Sequence, residues 1–225
     1  MVKKLQNIRK NYSLSALKKS DMKDDPFQQF NIWFNDIVGK VIEPTAMTLS
    51  TYSKSLGVQN RIVLLKDVHV HHQNESNLNG FVFFTNYHSV KAQQINTNPK
   101  VALCFFWPIL ERQIRVSGLA VKINEEKSIA YFQNRPRKSQ IGAWASSQSE
   151  IIEDRKVLDV NFIKFEKKFQ NKSVPKPPHW GGYKVIPNLI EFWQGREDRM
   201  HDRFTYTKKL NRKLEVNWVI NRLSP

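Results

Sequence analysis

The chain has a single cysteine, Cys104, among its 225 residues, so no intrachain disulfide can form. That cysteine lies in the apolar stretch VALCFFW and reads as a buried, inert thiol rather than a nucleophile. Long hydrophobic runs are also missing. The longest, VALCFFWPIL, is too short to span a bilayer and contains a proline. The basic start MVKKLQNIRK leads into no apolar segment of the kind a signal peptide needs. These absences point to a cytoplasmic protein without a membrane partner. Metal ligands are sparse: HVHHQ holds His69, His71 and His72, but only Glu75 lies nearby, so an Asn-rich solvated hairpin tip is expected and no metal site. Acidic residues are scarce too, 20 against 36 Lys and Arg, for a formal net charge of +16. Such an excess implies anionic partners, whether nucleic acid, a membrane surface or small phosphorylated molecules.

Apolar residues make up 40% of the chain, with 14 Phe and 6 Trp, ample for a buried core. Residues 1–25 are polar and charged and are expected to form a mobile arm, with 26–225 as one domain. Asp25-Pro26 is a helix start signal, and Phe27, Phe30, Trp33, Phe34 and Ile37 follow at helical spacing. TAMTLSTYS, RIVLLKDVHV, FVFFTN, KVALCFFW, RQIRVSGLAVKI, YKVIPNLIEFWQ, RMHDRFTYTK and LEVNWVI predict strands. SVKAQQINTN, NEEKSIAYFQNR, RKSQIGAWAS and a long segment over 150–170 predict helices, with Phe162, Phe165 and Phe169 as core contacts. Six to eight short strands with helices grouped between them favour an antiparallel barrel with peripheral helices, a mainly β fold. A doubly wound sheet would require regular strand–helix alternation.

Several small cationic sites stand out. Thr85, Ser89 and Lys91 surround a predicted helix N-terminus, where exposed N–H groups and the helix dipole favour phosphate. Arg61 and Lys66 flank an apolar strand; being five apart they face opposite sides unless a bulge re-aims one. Tyr131, Arg135 and Ser139 recur every fourth residue and form a competent set of phosphate donors, although Pro136 is expected to break the helix between them. In EFWQGREDRMHDR, Arg199, His201 and Arg203 alternate; in a strand they would share one face, a costly row unless an anion lies against it. Scattered phosphate-sized sites argue against a continuous nucleic-acid footprint and for phosphorylated small molecules.

Taken together, RIVLLK, FFTNYHSVKAQQIN, LERQIRVSG, YFQNRPRKSQIGAWAS, PPHWGGYKV, IEFWQGREDRMHDRF and the terminal NRLSP resemble the pyridoxine/pyridoxamine 5′-phosphate oxidase family, collinearly from about residue 8 to the end. The resemblance implies an FMN-binding split β-barrel homodimer with flavin at the subunit interface. It implies oxidation of the C4′ alcohol or amine of pyridoxine 5′-phosphate or pyridoxamine 5′-phosphate to pyridoxal 5′-phosphate, with O2 giving hydrogen peroxide, and ammonia from the amine.

Carried over by position, the resemblance assigns FMN to Arg61, Ile62, Val63, Leu64, Leu65, Lys66, Phe84, Thr85, Ser89, Lys91, Gln113, Gln148, Ser149, Trp193 and Arg203. It assigns the substrate to Arg9, Tyr12, Lys66, Tyr131, Arg135, Ser139, Arg199, Met200 and His201, with Arg199 and His201 catalytic. Val90 stands where the family usually has a second arginine, and Lys10-Asn11 replaces its usual Arg-Glu. Two other readings stay open: an FMN split-barrel protein with a different substrate, and a basic nucleic-acid-binding or cofactor-carrying protein without turnover.

Overall fold

A computed structural model describes residues 4–69, 78–210 and 216–225. Helix α1 (Pro26–Ile37) begins where the sequence signals it. The Asp25 carboxylate accepts the Phe27 N–H at 2.9 Å, and Pro26 occupies the first turn, where its missing N–H costs nothing. Its apolar stripe is buried against a sheet: Phe27 packs on Phe81 at 5.5 Å, Phe30 on Phe105 at 5.3 Å and Trp33 on Phe192 at 5.1 Å between ring centroids. These are among the rings that make the main core.

The sheet has nine strands among the described residues, one more than the upper expectation: β1 (Ala46–Ser53), β2 (Gly57–Leu64), β3 (Asp67–His69), β4 (Gly80–Asn86), β5 (Lys100–Trp107), β6 (Arg112–Lys122), β7 (Trp180–Gln194), β8 (Asp202–Leu210) and β9 (Val216–Leu223). All pairings are antiparallel, in the order β2-β1-β5-β6-β7-β4-β3, with β8 added to β7 and β9 to β8. The path starts and ends in one continuous stretch of chain. RIVLLKDVHV, expected as a single strand, divides at Leu65-Lys66: the Leu65 N–H donates to Thr45 O and the next N–H, of Lys66, to Val82 O, each at 2.8 Å. Two successive residues thus bond to opposite edges of the sheet and close it into a barrel with a split at that point.

Strand β7 is the longest. Residues 183–194 pair with β6, while its other edge serves β4 over 180–185 and β8 over 189–194. The change of partner coincides with a bulge. Ser117 is opposite Leu189 and Gly118 opposite Pro187, so Asn188 is the extra residue, and Pro187 is tolerated inside a paired strand.

Helices α3 (Glu125–Gln133), α4 (Arg137–Ala145) and α5 (Lys156–Lys168) carry a second apolar cluster of Phe132, Ile141, Phe169, Val174 and Trp180, with Phe162 and Phe165 partly buried against it. The helix expected over 150–170 is thus shorter. Residues 150–155 are not helical, and none of α5 is fully buried, so its Phe residues lean on the cluster rather than fill a core. The break expected at Pro136 is present between α3 and α4. Helix α2 (Val90–Thr97) completes the set.

The arm is tied to the domain rather than extended away from it. Leu17 and Met22 enter the main core, and the Tyr206 hydroxyl donates to Lys23 O at 2.6 Å. No helix among the described residues is long and apolar enough to cross a membrane. Among those residues no cluster of His, Cys, Asp and Glu could hold a metal, and His71 and His72 lie outside them. Cys104 is half-buried rather than buried; its thiol lies 3.6 Å from Gln113 Oε1, and burial raises its pKa.

The bulge makes one position intolerant. A Cβ on Gly118 would lie 2.2 Å from the Ile186 carbonyl oxygen, so Gly118→Ala should destabilise the fold by about 1–3 kcal/mol. Chemical unfolding checks this, and an unchanged midpoint would show that the strand can shift away.

Candidate active site

A cavity of about 540 Å³ opens at the split in the barrel. The strand switch at Leu65-Lys66 supplies Ile62, Val63, Leu64 and Lys66, and β4 supplies Phe84, Thr85 and Asn86. Lys91 comes from α2, Tyr131, Arg135 and Ser139 from the α3–α4 junction, and Gln148 from the loop after α4. The chain re-aims at the switch, and Lys66 lines the cavity, while Arg61 stands behind it beside Lys91. Leu65 does not follow; its side chain is buried in the core. Three cations line the cavity and no carboxylate does, among the described residues. Buried unbalanced cations are costly, so the chemistry of this lining fits an anionic occupant.

Two places have the character of phosphate sites. At the first, Lys91 is buried, its ammonium donates among the described residues only to Thr85 Oγ1 at 3.3 Å, and burial together with nearby Arg61 lowers its pKa to about 8. Arg61 is held facing it by Leu49 O at 3.1 Å, Thr51 Oγ1 at 2.6 Å and Gln59 O at 3.0 Å. Ser89 is at the N-cap of α2, but its hydroxyl donates to Asn86 O at 2.7 Å instead of accepting from the first turn. At the second, Tyr131, Arg135 and Ser139 meet across the Pro136 break rather than along one helix face. The Nη1 of Arg135 is buried with no hydrogen-bond partner among the described residues.

The remaining expected residues gather elsewhere. Gln113 is opposite Trp193, and Trp193 opposite Arg203, on adjacent strands. The Trp193 ring lies 4.6 Å from His201 and 5.7 Å from Tyr12. The alternating row is not a strand, which corrects the sequence expectation. Residues 197–199 form a single 3₁₀ turn, Asp198 and Arg199 are in the left-handed region at φ 54° and 62°, and β8 starts only at Asp202. Non-glycine residues rarely adopt that conformation. Arg199 and Met200 are consequently exposed, and His201 is half-buried on the turn. His201 Nδ1 accepts the Arg196 N–H at 3.1 Å, which leaves the proton of a neutral ring on Nε2; burial and then the Arg199 charge lower its pKa. Arg9 is exposed on the arm, and Gln148 and Ser149 are exposed, Ser149 at φ 75°.

The anion facing Arg203 belongs to the chain itself. Arg203 Nε donates to buried Glu191 at 2.9 Å, and Arg115 meets the other oxygen of that carboxylate at 3.2 Å. Two further buried carboxylates, unmarked in the sequence, organise the arm and the turn. Glu111 accepts the Leu14 N–H at 3.0 Å and pairs with Lys10 at 3.2 Å, while its own carbonyl accepts the Gly195 N–H at 2.8 Å. Asp202 accepts the Leu17 N–H at 3.0 Å, Arg196 at 3.2 Å and Arg222 at 2.7 Å. Tyr12 packs so closely on Gly195 that a Cβ there would lie 2.8 Å from it. The cavity also has members the sequence did not single out: Asn86, Gly142, Ala143, Ser146 and Trp180. Of these only Trp180, an aromatic directly before Gly181-Gly182, carried a visible signal.

The chain is similar to proteins already characterised by family. Residues 36–169 match the family model described as pyridoxamine 5′-phosphate oxidase, and residues 180–225 the model of the pyridoxine 5′-phosphate oxidase C-terminal dimerisation region. A pyridoxine/pyridoxamine 5′-phosphate oxidase of Synechocystis sp. is 46% identical over 98% of both chains, and one of Trichormus variabilis is 45% identical over 100% of both. Among solved structures, PhzG from Burkholderia lata, in complex with tetrahydrophenazine-1-carboxylic acid, has a TM-score of 0.81 at 24% identity, covering 95% of this chain and 100% of its own. That likeness concerns the fold.

The Asp202 node gives a pH-dependent expectation. Burial alone would raise its pKa, but the Leu17 N–H, Arg222 and Arg196 outweigh that and hold it below the usual range. A depressed carboxylate pKa stabilises the fold above the unfolded value and loses that contribution as pH falls through the folded one. Asp202→Asn should therefore cost about 2 kcal/mol at neutral pH and less at acid pH, as the parent carboxylate becomes protonated. Urea unfolding at the two pH values checks it; equal costs at both would remove the charge from the explanation.

Proposed function

The chain belongs to the pyridoxine/pyridoxamine 5′-phosphate oxidase family, and from that premise we propose how its two residue groups make one site. It is an FMN-dependent oxidoreductase of vitamin B6 metabolism that converts pyridoxine 5′-phosphate or pyridoxamine 5′-phosphate to pyridoxal 5′-phosphate, and its C-terminal segment is a dimerisation region. The observation that carries the proposal is the length of β7. Trp180 lies at the cavity end and Trp193 at the other, thirteen residue steps apart (193 − 180), roughly 40 Å of contour at ~3.3 Å per residue. One chain offers the two groups at opposite ends of a strand; two antiparallel copies would bring the Trp193 end of each to the cavity of the other. FMN and substrate then lie at the dimer interface, with O2 as the electron acceptor.

The residues present fit that cofactor. Arg61 and Lys91 are cations held together without a carboxylate, as a phosphate requires, and Ile62–Leu64, Phe84, Thr85 and Gln148 offer a mostly apolar slot beside them. When bound, FMN supplies two-electron redox chemistry and reactivity toward O2.

The chain supplies binding, orientation and charge. Tyr131, Arg135, Ser139 and Lys66 would hold the phosphate of the substrate. Arg199 and His201, on their strained turn, would meet its ring and reacting carbon from the partner side. The neutral His201 would present the Nε2 proton, while Tyr12 covers the site and excludes water. Arg203, with Trp193 and Gln113, would lie along the flavin, its charge balanced by Glu191.

Peroxide release with each phosphorylated substrate tests the whole reading; no release from FMN-loaded protein would overturn it. Arg199 is exposed and stabilises little, so Arg199→Lys and His201→Ala should each lower kcat/KM at least about tenfold with melting point and FMN content near the parent values. Parallel losses of stability and colour would instead assign both residues to the fold.

Lys91 adds a test that needs no turnover. Its pKa of about 8 in the free protein should rise when a phosphate lies beside it, so FMN affinity should fall as pH rises above about 8, approaching tenfold per pH unit. Titration of apoprotein by flavin fluorescence measures this. A flat profile would place the phosphate elsewhere.

A further inference from the structure

Trp180 is a cavity member that the roles above leave unused. Its indole is buried and lies parallel to Phe84, at 5.2 Å and 10°, and to Tyr131, at 6.1 Å and 3°. The Arg135 guanidinium lies over its face, 4.7 Å from the ring centroid. Lys176 braces the residue from behind: its buried ammonium donates to Trp180 O at 2.7 Å and to Pro177 O at 2.8 Å, and pairs with Glu125 of α3 at 3.0 Å.

A buried guanidinium is normally fixed by a carboxylate, which neutralises it and takes up its donors. Arg135 has no such partner, and its Nη1 makes no hydrogen bond among the described residues. An aromatic face can fix the plane of a guanidinium while leaving its N–H groups uncommitted, and Trp is the strongest face for the purpose. Tyr131, the second donor, stacks on Phe84 at 3.9 Å and 14°, and Phe84 in turn lies parallel to Trp180, so the indole backs that pair.

We propose that Trp180 is a positioning residue for substrate phosphate, whose indole face holds Arg135 flat with its donors free and backs the Phe84 ring on which Tyr131 stacks. The proposal rests on the assignment of Tyr131, Arg135 and Ser139 to that phosphate. It makes Trp180 a determinant of selectivity for the phosphorylated over the unphosphorylated vitamin, acting through groups that touch the substrate.

The test uses the FMN-loaded dimer, with pyridoxamine 5′-phosphate as substrate and inorganic phosphate as competing probe. Trp180→Leu should raise KM about tenfold and weaken phosphate inhibition in proportion, with kcat within about twofold. Trp180→Phe keeps a ring face and should stay within about threefold of the parent. If the leucine variant does not fold, 5,7-difluorotryptophan placed at position 180 alone keeps the shape and weakens the π face, and KM should still rise. A KM unchanged by the leucine or the fluorinated side chain, while Arg135→Met raises it, overturns the role of Trp180 and leaves the phosphate assignment standing. A KM unchanged in Arg135→Met removes the assignment itself. Losses of kcat, FMN content and KM together, equal for Leu and Phe, would reduce Trp180 to a packing residue.

Discussion

Two neighbouring hydrogen bonds organise this molecule. The N–H of Leu65 goes to Thr45 and the N–H of Lys66 to Val82, so two successive peptide units join the two ends of the sheet. A strand that continued straight would leave the sheet open, with two unpaired edges. Crossing over removes those edges but cannot continue either ladder unbroken, and the local gap is where the cavity lies. The same step turns Lys66 inward and Leu65 into the core. The site is thus a by-product of barrel closure, and α1, plugged by Phe27, Phe30 and Trp33, fills the interior that closure creates.

Charge is divided with the same economy. Acidic residues are the minority, yet Glu111, Glu191 and Asp202 are among the buried ones. Each is spent on structure: Glu191 between two arginines, Glu111 and Asp202 on arm N–H groups and basic partners. None lines the cavity, where Lys66, Lys91 and Arg135 remain uncompensated. A large positive charge spread evenly would favour any polyanion. Here three cations with no carboxylate beside them gather at two phosphate-sized places within one concave surface.

Much of this was legible in the sequence. The Asp25-Pro26 signal and its apolar spacing gave α1, the alternating segments gave the strands, and Pro136 marked the α3–α4 break, because each depends on local chemistry. Most of the residues assigned to the phosphates and the flavin slot do meet at one cavity. What failed depends on distant partners. RIVLLKDVHV has uniform strand character, and nothing in it tells that its hydrogen bonds change partner midway. Arg199, His201 and Arg203 alternate equally well in a strand or across a tight turn, and only the left-handed backbone at Asp198 and Arg199 separates the two. The counter-ion of Arg203 is twelve residues upstream on the neighbouring strand, where sequence spacing gives no hint of pairing. The stretch before α5, residues 150–155, is exposed and does not join the helix.

The arm has a consequence in time. Its anchors connect the two ends of the chain: Leu17 meets Asp202 across 185 residues and Arg222 across 205. Synthesis proceeds from the N-terminus, so the arm leaves the ribosome long before the residues that will hold it exist. Contacts of such sequence separation also carry the greatest loop-closure entropy and form late. Leu14 can meet Glu111 halfway through synthesis, but Leu17 must wait for β8 and β9. A nascent chain truncated before β8 has a barrel wall and half a latch: the Glu111 end of the arm can close while the Leu17 end has nothing to hold it.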